Sequence, residues 1–371
     1  MDAEKQAIIT LNLIPEIGPK RFSNLVGRFA TAEEVLKAQE SELVCVEEIN
    51  EKLAKKISSA KNNIDVNKEI ELARKLGINI ITCFDPQYPK SLKSLPDSPF
   101  VLYVKGEIKE EDLLSVAIVG TRLATNYGKS VAIKFSKDFA DCGVTTVSGL
   151  ARGIDTEVHK ATIDAGGRTI AVLGNGLNRH YPPENKKLEE IIAKNGALVS
   201  EFPLDTSPDK GNFPRRNRII SGISLATLVV EADIKSGALI TAKFCLEQGK
   251  DVFAVPGPIF SKYSNGTNYL IKSGAAPALN VKEIIEAIAP LAEWLKNKES
   301  SKIEVKGSGL GLDGIDKRVM DVLDNNVDGV SIDYLLDKVS VSMGELSKAL
   351  INLELKGFLR TLPGKVFIKN Y

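Results

Sequence analysis

LSVAIVG at 114–120, GVTTVSG at 143–149 and RTIAVLG at 168–174 are short apolar runs that each end in glycine. Three further apolar runs follow along the chain, of which only the last ends in glycine: ALVSEF at 197–202, LATLVVEA at 225–232 and DVFAVPG at 251–257. Their Val, Ile and Leu content is typical of parallel strands that are buried on both faces. Because helical segments lie between most of them, the sequence predicts an α/β domain with an extended Rossmann-like parallel sheet over residues 113–295.

The regions that flank this sheet have other patterns. Residues 1–65 contain two successive pairs of apolar helices joined by tight turns, which predicts a helical domain of the SAM or helix-hairpin-helix type. Residues 66–112 combine a helix with short strands and Pro- and Ser-rich segments, and we interpret them as a connector. Residues 296–314 are rich in Lys, Ser and Gly, as a linker would be, and residues 315–371 predict three helices and a hairpin, the order of a winged-helix domain.

The composition argues against several classes of protein. The chain has 371 residues and a net charge of +1, so a nucleic-acid site would have to be a local basic patch. Its four cysteines form no C-x-x-C pair, which argues against a zinc site or a disulfide framework and favours a reducing compartment. The sequence shows neither a signal peptide nor an apolar run of the roughly 20 residues that a membrane span needs. We therefore expect a cytoplasmic protein without a metal or a membrane partner.

Glycine-rich turns mark the edge of the predicted sheet where a ligand should bind. In a parallel α/β sheet this edge lies beyond the carboxyl ends of the strands. Glycines and helix N-termini allow backbone N–H groups to approach an anion there, and arginines beside the turns suit phosphate oxygens. The residues predicted to contact a nucleic acid are Gly120, Thr121, Arg122, Ser148, Gly149, Arg152, Gly153, Arg215, Arg216, Asn217, Arg218, Ser236 and Gly237.

Each of these features also has a purely structural interpretation. A single glycine after a strand often makes only a tight turn, and arginines often pair with acids. The positions favour binding, because Arg215, Arg216 and Arg218 open a predicted helix, where the helix dipole disfavours cations unless an anion arrives. The sequence has no P-loop, G-x-S-x-G elbow or H-E-x-x-H motif, nor a G-x-G-x-x-G fingerprint after the first strand, so we predict no catalytic residue and no cofactor. Asp155 and His159 are interpreted as structural.

Three stretches of the sheet region resemble the DprA/Smf family of DNA-processing proteins. They are SGLARGIDTEVHKATIDAGGRTIAVLGNGLNRHYPPEN at 148–185, FPRRNRIISGISLATLVVEADIKSGALITAKFCLEQGKDVFAVPG at 213–257 and NGTNYLIKSGA at 265–275. The resemblance implies a protein without enzymatic activity that binds and protects single-stranded DNA. It further implies that the protein helps to load the RecA recombinase onto that DNA, notably in natural transformation, and forms a homodimer through the Rossmann-like domain.

The motifs of this family map onto residues already singled out above. The phosphate-gripping G-[ST]-R turn corresponds to 120–122, and the S-G-x-A-x-G-I-D loop corresponds to 148–155. The F-P-x-R-N-R-I-I-S-G element corresponds to 213–222, and the S-G-[SA] turn corresponds to 236–238. The chain departs from the pattern at two positions. Pro183 stands in the Y-P-x-x-N segment where some relatives carry a lysine, and Glu16 stands in place of the first glycine of a helix-hairpin-helix.

Two other functions are compatible with the sequence. VPGPIFSKYSNGTN at 255–268 keeps fragments of the P-G-G-x-G-T turn of phosphoribohydrolases, which are nucleotide-processing enzymes with a related fold. The winged-helix segment could read duplex DNA through its third helix, SMGELSKALINLELKG at 342–357. Because that helix balances two acids against two bases, a contact with another protein is an equal alternative.

Overall fold

The computed structural model describes residues 2–294, 314–324, 326, 330–355, 358–362 and 366–369. They belong to two compact units, Met1–Leu295 and Lys296–Tyr371. The predicted linker at 296–314 falls outside the described residues apart from Gly314. Over the part of the chain that is described, no helix combines the length and the apolar character needed to cross a membrane.

The N-terminal part of the first unit is helical. Its helices are α1 (Ala3–Asn12), α2 (Pro19–Phe29), α3 (Ala32–Lys37), α4 (Glu40–Leu43), α5 (Glu51–Asn63) and α6 (Val66–Leu76). The side chains of Asp2, Asn50 and Asp65 cap α1, α5 and α6 by accepting hydrogen bonds from the backbone N–H three residues later. Gly77 ends α6 with a φ of 65°, in the left-handed region that glycine adopts without strain.

A nine-stranded sheet, counted over the described residues, forms the centre of the first unit. Its strands are β1 (Ile78–Thr82), β2 (Val101–Gly106), β3 (Ser115–Val119), β4 (Thr145–Ser148), β5 (Thr169–Val172), β6 (Ala197–Ser200), β7 (Ala226–Val229), β8 (Asp251–Ala254) and β9 (Ala276–Pro277). They lie in the order β1-β2-β6-β5-β4-β3-β7-β8-β9. β3 to β8 pair in parallel, as the sequence predicts, and β9, which the sequence analysis did not predict, pairs in parallel with β8. The strand order reverses at β3, so the crevice beyond the carboxyl ends of β3 and β7 is the switch point where such sheets bind ligands.

Strands β1 and β2 lie in the region at 66–112 that we interpreted as a connector. β2 pairs antiparallel with β6, and β1 pairs antiparallel with β2, so the two strands extend the parallel sheet at one edge. Tyr103 and Leu102 of β2 are completely buried. The pairing also gives the backbone N–H and C=O groups of β6 partners on both sides. These strands are therefore part of the sheet itself.

Helices cover both faces of the sheet. They are α7 (Lys90–Lys93), α8 (Asn126–Cys142), α9 (Ile154–Asp164), α10 (Lys186–Asn195), α11 (Asn212–Ile223), α12 (Gly237–Glu247), α13 (Asn265–Lys272) and α14 (Val281–Ala287). Successive residues of a strand point to opposite faces. Val119 accordingly packs in one core with Ile219 of α11, and Ile118 packs in another core with Phe139 of α8. A third apolar cluster joins the N-terminal helices to α10 and to the sheet.

The second unit has the winged-helix order of elements that the sequence predicts. Its helices are Ile315–Asp324, Ile332–Val339 and Met343–Leu355, and its strands are Val330–Ser331, Leu359–Leu362 and Val366–Lys369. The strands form an antiparallel sheet. Apolar side chains from all three helices and from the sheet share one buried core, including Val319, Leu335, Leu346, Leu350 and Phe367.

Candidate nucleic-acid interface

A groove of about 580 Å³ lies at the switch point of the sheet. We call it the edge groove; its walls are the loop after β3 and the first turns of α11 and α12. The basic side chains that line it are Arg122, Lys210, Arg216, Lys235 and Lys262, and the acidic ones are Asp155 and Asp233. Cations therefore outnumber carboxylates in this groove, although the chain as a whole is nearly neutral.

Arg122 is the exposed cation at the centre of this site. It forms no ion pair with any residue that the structure describes, and its guanidinium carbon lies 5.1 Å from the centroid of the Phe213 ring. The ring of Tyr181 lies 5.3 Å from the ring of Phe213. The loop that carries Arg122 is fixed to the neighbouring strand, because Thr121 N–H donates to the carbonyl of Glu231 at 2.7 Å. A cation and two aromatic faces are thus held together at the wall of the groove.

Gly120 and Gly153 allow two loops to pack closely against each other. A Cβ at Gly120 would lie 2.5 Å from Cγ1 of Ile154, the first residue of α9. Gly153 has a φ of 76°, and a Cβ there would collide with the backbone of Thr121 and Arg122. Both glycines are therefore needed for packing, and they bring the 120–122 turn against the loop before α9.

Asp155 organises the loop between β4 and α9. Its Oδ2 accepts hydrogen bonds from the N–H groups of Gly149 and Ala151 at 3.2 and 3.3 Å. Ser148 is fully buried, and its hydroxyl donates to the carbonyl of Ile118 at 2.7 Å. The Ser148 hydroxyl and the Gly149 N–H thus already have partners that hold the loop in place. Their contacts with phosphate stay predictions. The structural interpretation of Asp155 agrees with these contacts.

Arg216 is buried, with 4% of its surface exposed. Its Nη1 donates to the carbonyl of Gly149 at 2.7 Å and also to the carbonyl of Val172. Burial lowers the pKa of Arg216 to about 10, while the nearby Asp155 opposes that shift, so the guanidinium stays charged at neutral pH. Gly149 is required here, because a Cβ would lie 2.6 Å from the arginine Nη2. Arg216 therefore acts as a fixed positive charge in the wall of the edge groove and ties the end of β5 to the loop after β4.

Arg215 and Arg218 share one carboxylate. Arg218 is 5% exposed, and its Nη2 donates to Glu201 Oε2 at 2.6 Å. Arg215 reaches the same oxygen at 3.2 Å, and Asp97 lies 3.5 Å from Arg218 Nε. Neither arginine lines the edge groove. Arg218 joins α11 to the end of β6, and its burial leaves almost no surface for a phosphate. Its DNA contact stays a prediction.

Arg152 lies outside the edge groove as well. It is exposed and forms an ion pair with Glu184, with a distance of 3.1 Å between Nη2 and Oε2. Glu184 directly follows Pro183. An approaching phosphate would have to compete with this carboxylate for Arg152.

The first turn of α12 faces the edge groove. Ser236 Oγ accepts a hydrogen bond from Ala238 N–H at 3.3 Å, and a Cβ at Gly237 would meet no described atom within 4 Å. Asn217 supports this turn, because its Nδ2 donates to the carbonyl of Gly237 at 3.2 Å and its Oδ1 accepts from Arg216 Nε at 3.2 Å. A helix N-terminus with open space before it suits an anion.

Several groove residues were missed by the sequence analysis. The basic ones are Lys210, Lys235 and Lys262, and the aromatic ones are Tyr181, Phe213 and Tyr263. Two of the lysines could have been found from their position beside predicted motifs, because Lys235 directly precedes the Ser236 turn and Lys210 lies two residues before α11. Tyr181 is the first residue of the Y-P-x-x-N segment, which the sequence analysis considered only for its Pro183. Within the described residues, no cluster of His, Cys, Asp and Glu side chains is placed to hold a metal ion.

Comparisons with known proteins agree with this fold. The model of the family described as DNA recombination-mediator protein A matches residues 79–289, and that of the DprA winged helix domain matches 307–365. Protein Smf from Synechocystis sp. is 32% identical over 98% of this chain and 98% of its own length.

Two solved structures are similar to the chain at comparable identity. The DNA processing protein A of Streptococcus pneumoniae superposes with a TM-score of 0.67 at 30% identity, covering 78% of this chain and 99% of that one. The DNA processing protein A of Helicobacter pylori, described for its single-stranded DNA binding mode, superposes with a TM-score of 0.51 at 31% identity, covering 59% of this chain and 96% of that one. The chain belongs to the DNA recombination-mediator protein A family, the DprA/Smf group of DNA-processing proteins.

Proposed function

We propose that this protein binds single-stranded DNA in the edge groove, protects the strand, and helps to load the RecA recombinase onto it during DNA uptake in the cytoplasm. The observation that carries the proposal is the position of Arg122. This unpaired cation lies over the ring of Phe213, next to Tyr181, in a groove where cations exceed carboxylates. Aromatic faces beside a basic track are the combination that binds single strands without regard to sequence.

The aromatic pair explains why a single strand is favoured over a duplex. Every nucleobase has a flat face that can stack on Tyr181 or Phe213, but in a duplex those faces are already stacked on neighbouring bases. Stacking on an aromatic side chain contributes about 1–3 kcal/mol per base. A duplex would have to unstack before it gained this energy, so the groove selects strands with accessible bases.

The basic side chains supply contacts with the phosphates. Of the two carboxylates that line the groove, Asp155 faces the buried charge of Arg216, and Asp233 lies 3.7 Å from Lys262. Arg122, Lys210 and Lys235 have no acidic partner among the residues described. Each phosphate that such a cation neutralises releases counterions, so affinity should fall steeply with salt. The single-stranded DNA binding mode described for the Helicobacter pylori relative supports the same ligand.

We also propose that the protein acts as a homodimer and has no enzymatic activity. Exposed apolar side chains lie on or next to the elements that end the sheet at β9, with exposed fractions of 58% for Leu246, 55% for Tyr269 and 64% for Leu279. The homodimer is what the family resemblance implies, and these side chains are candidates for its interface. A phosphoribohydrolase activity, the alternative, would be detected as free adenine released from AMP.

Replacing Arg122 tests the proposed DNA site. Arg122→Ala removes an unpaired cation and its contact with Phe213, so the affinity for oligo-dT should fall about tenfold at moderate salt. Fluorescence anisotropy over a range of salt concentrations should also show a shallower dependence of log K on log salt, because at least one phosphate contact is lost.

The matched control for this variant is Arg74→Ala. Arg74 is an exposed arginine on α6, outside the edge groove. Its replacement removes the same charge as Arg122→Ala but leaves the groove unchanged. If Arg122→Ala and Arg74→Ala bind oligo-dT equally well and with the same salt dependence, the edge groove is not the DNA site.

A further inference from the structure

A second groove, of about 610 Å³, runs along the outer face of α9. We call it the flank groove. Its residues from α9 recur with the spacing of one helical face; they are Thr156, Glu157, Lys160, Ile163 and Asp164, and Gly153 directly precedes the helix. The neighbouring walls come from the start of α8 and from α10.

The flank groove continues directly from the edge groove. Arg122 and Leu123 line both of them, so the two grooves meet at the loop after β3. Arg122 is also the unpaired cation on which the proposed DNA site depends. A phosphate lying over Arg122 would therefore be next to both grooves.

Three lysines from three different helices converge on the flank groove. Lys129 of α8, Lys160 of α9 and Lys187 of α10 are all exposed, and none of them forms an ion pair within residues 2–294. Nearby like charges repel each other and raise the local positive potential, which attracts a polyanion.

The acidic side chains of the flank groove do not cancel these lysines. They are Glu157, Asp164 and Glu184, and Glu184 already pairs with Arg152. Two carboxylates therefore face the three lysines and Arg122. The groove also offers apolar surface for sugars and bases, because Leu123 is 73% exposed and Ile191 is 42% exposed.

We propose that the single strand held in the edge groove passes over Arg122 and continues along the flank groove, where Lys129, Lys160 and Lys187 contact its phosphates. This inference rests on the proposed function and adds a second, separately measurable segment to the binding site. Helix α9 has 11 residues. At about 1.5 Å per residue it is roughly 16 Å long. At about 3.4 Å per stacked nucleotide this length holds about five nucleotides, and fewer if the strand is extended.

The length of the oligonucleotide separates the two segments. A strand of about five nucleotides can be held by the edge groove alone, whereas one of about 15 nucleotides can occupy both grooves. In Lys129→Ala/Lys160→Ala/Lys187→Ala, the affinity for the short oligo-dT should stay within about twofold of the wild type. Loss of three phosphate contacts should lower the affinity for the long oligo-dT by about 10- to 100-fold at 0.1 M salt, and should reduce the salt slope by about 2.

The matched control is Lys61→Ala/Lys68→Ala/Lys75→Ala, which removes the same charge from exposed positions on α5 and α6. The proposal is overturned if the two triple variants bind the long strand equally well, or if the flank-groove variant loses affinity for short and long strands alike. If the wild type binds the short strand but the flank-groove variant does not lose affinity for the long one, the proposed function stands and the path along the flank groove is wrong. If the wild type binds neither strand, both fail.

Discussion

Replacing Arg218 separates the role that the sequence predicts for it from the role that the structure indicates. Arg218→Met keeps a long side chain and removes the charge. Glu201 is 5% exposed and accepts a hydrogen bond from Arg218 at 2.6 Å, so the variant leaves a buried carboxylate with Arg215 as its nearest remaining cation at 3.2 Å. The expected effect is a loss of folding stability.

The size of this loss follows from the burial of both partners. Removing one partner of a buried ion pair costs about 3–5 kcal/mol, because the other charge is left uncompensated. Arg215 is 39% exposed and keeps part of the interaction, which places the expected loss near the lower end, at about 3 kcal/mol. Adding Glu201→Gln removes the stranded charge, so the double variant should recover part of the stability.

Urea denaturation followed by far-UV circular dichroism, combined with oligo-dT binding at low urea, measures the two roles separately. Arg218→Met should lower the denaturation midpoint and leave the DNA affinity of the folded protein unchanged. Arg215→Met, at a more exposed position, should cost about 1 kcal/mol or less. The reasoning is refuted if Arg218→Met unfolds at the wild-type midpoint but binds oligo-dT more weakly, because Arg218 would then contact the strand.

Two further variants test the interior of the same domain. Burial, and secondarily the charge of Arg216, lower the pKa of His159 to about 3, so below a pH of about 6.5 the unfolded chain takes up a proton that the folded chain refuses. As the pH is lowered from about 6 to about 4, the free energy of unfolding should therefore fall by about 1.4 kcal/mol per pH unit. In urea titrations, the free energy of unfolding of His159→Gln should depend less steeply on pH. Equal slopes for the variant and the wild type would contradict a buried neutral imidazole. Gly120→Ala should lower the melting temperature by several degrees, because its Cβ would lie 2.5 Å from Ile154, whereas Gly237→Ala, with open space at its Cβ, should melt as the wild type does. Similar melting of both glycine variants would contradict the packing role of Gly120.

The parallel part of the sheet could be predicted because local patterns determine it, whereas the position of the site stays a prediction. The apolar runs ending at Gly120, Gly149 and Gly174 fall on successive parallel strands, and the rule for switch points places the ligand beyond β3. Arg122 was predicted as a binding residue because it follows the first of these runs, and the structure places it in the edge groove. The strands β1 and β2 could not be assigned to the sheet, because β1 joins it only through β2, and the antiparallel pairing of β2 with β6 joins segments that are about a hundred residues apart.

The roles of the clustered arginines could not be predicted for a different physical reason. Arg215, Arg216 and Arg218 are neighbours in sequence, but their side chains point in different directions from one helix. Arg216 meets backbone carbonyls and Arg218 meets Glu201, which comes from a separate strand. Whether an arginine is buried with a partner or left free depends on contacts that sequence proximity does not reveal.

The shared apolar cluster between the N-terminal helices and the sheet has a consequence for any attempt to cut the protein into pieces. The family match begins at residue 79, inside β1, and would suggest a fragment that starts there. Such a cut would remove one strand residue together with Ile8, Leu11 and the other helical members of the apolar cluster to which Ile192 and Leu198 belong. The N-terminal helices thus cover apolar side chains of the sheet domain. A shortened protein that lacks these helices should be prone to aggregation.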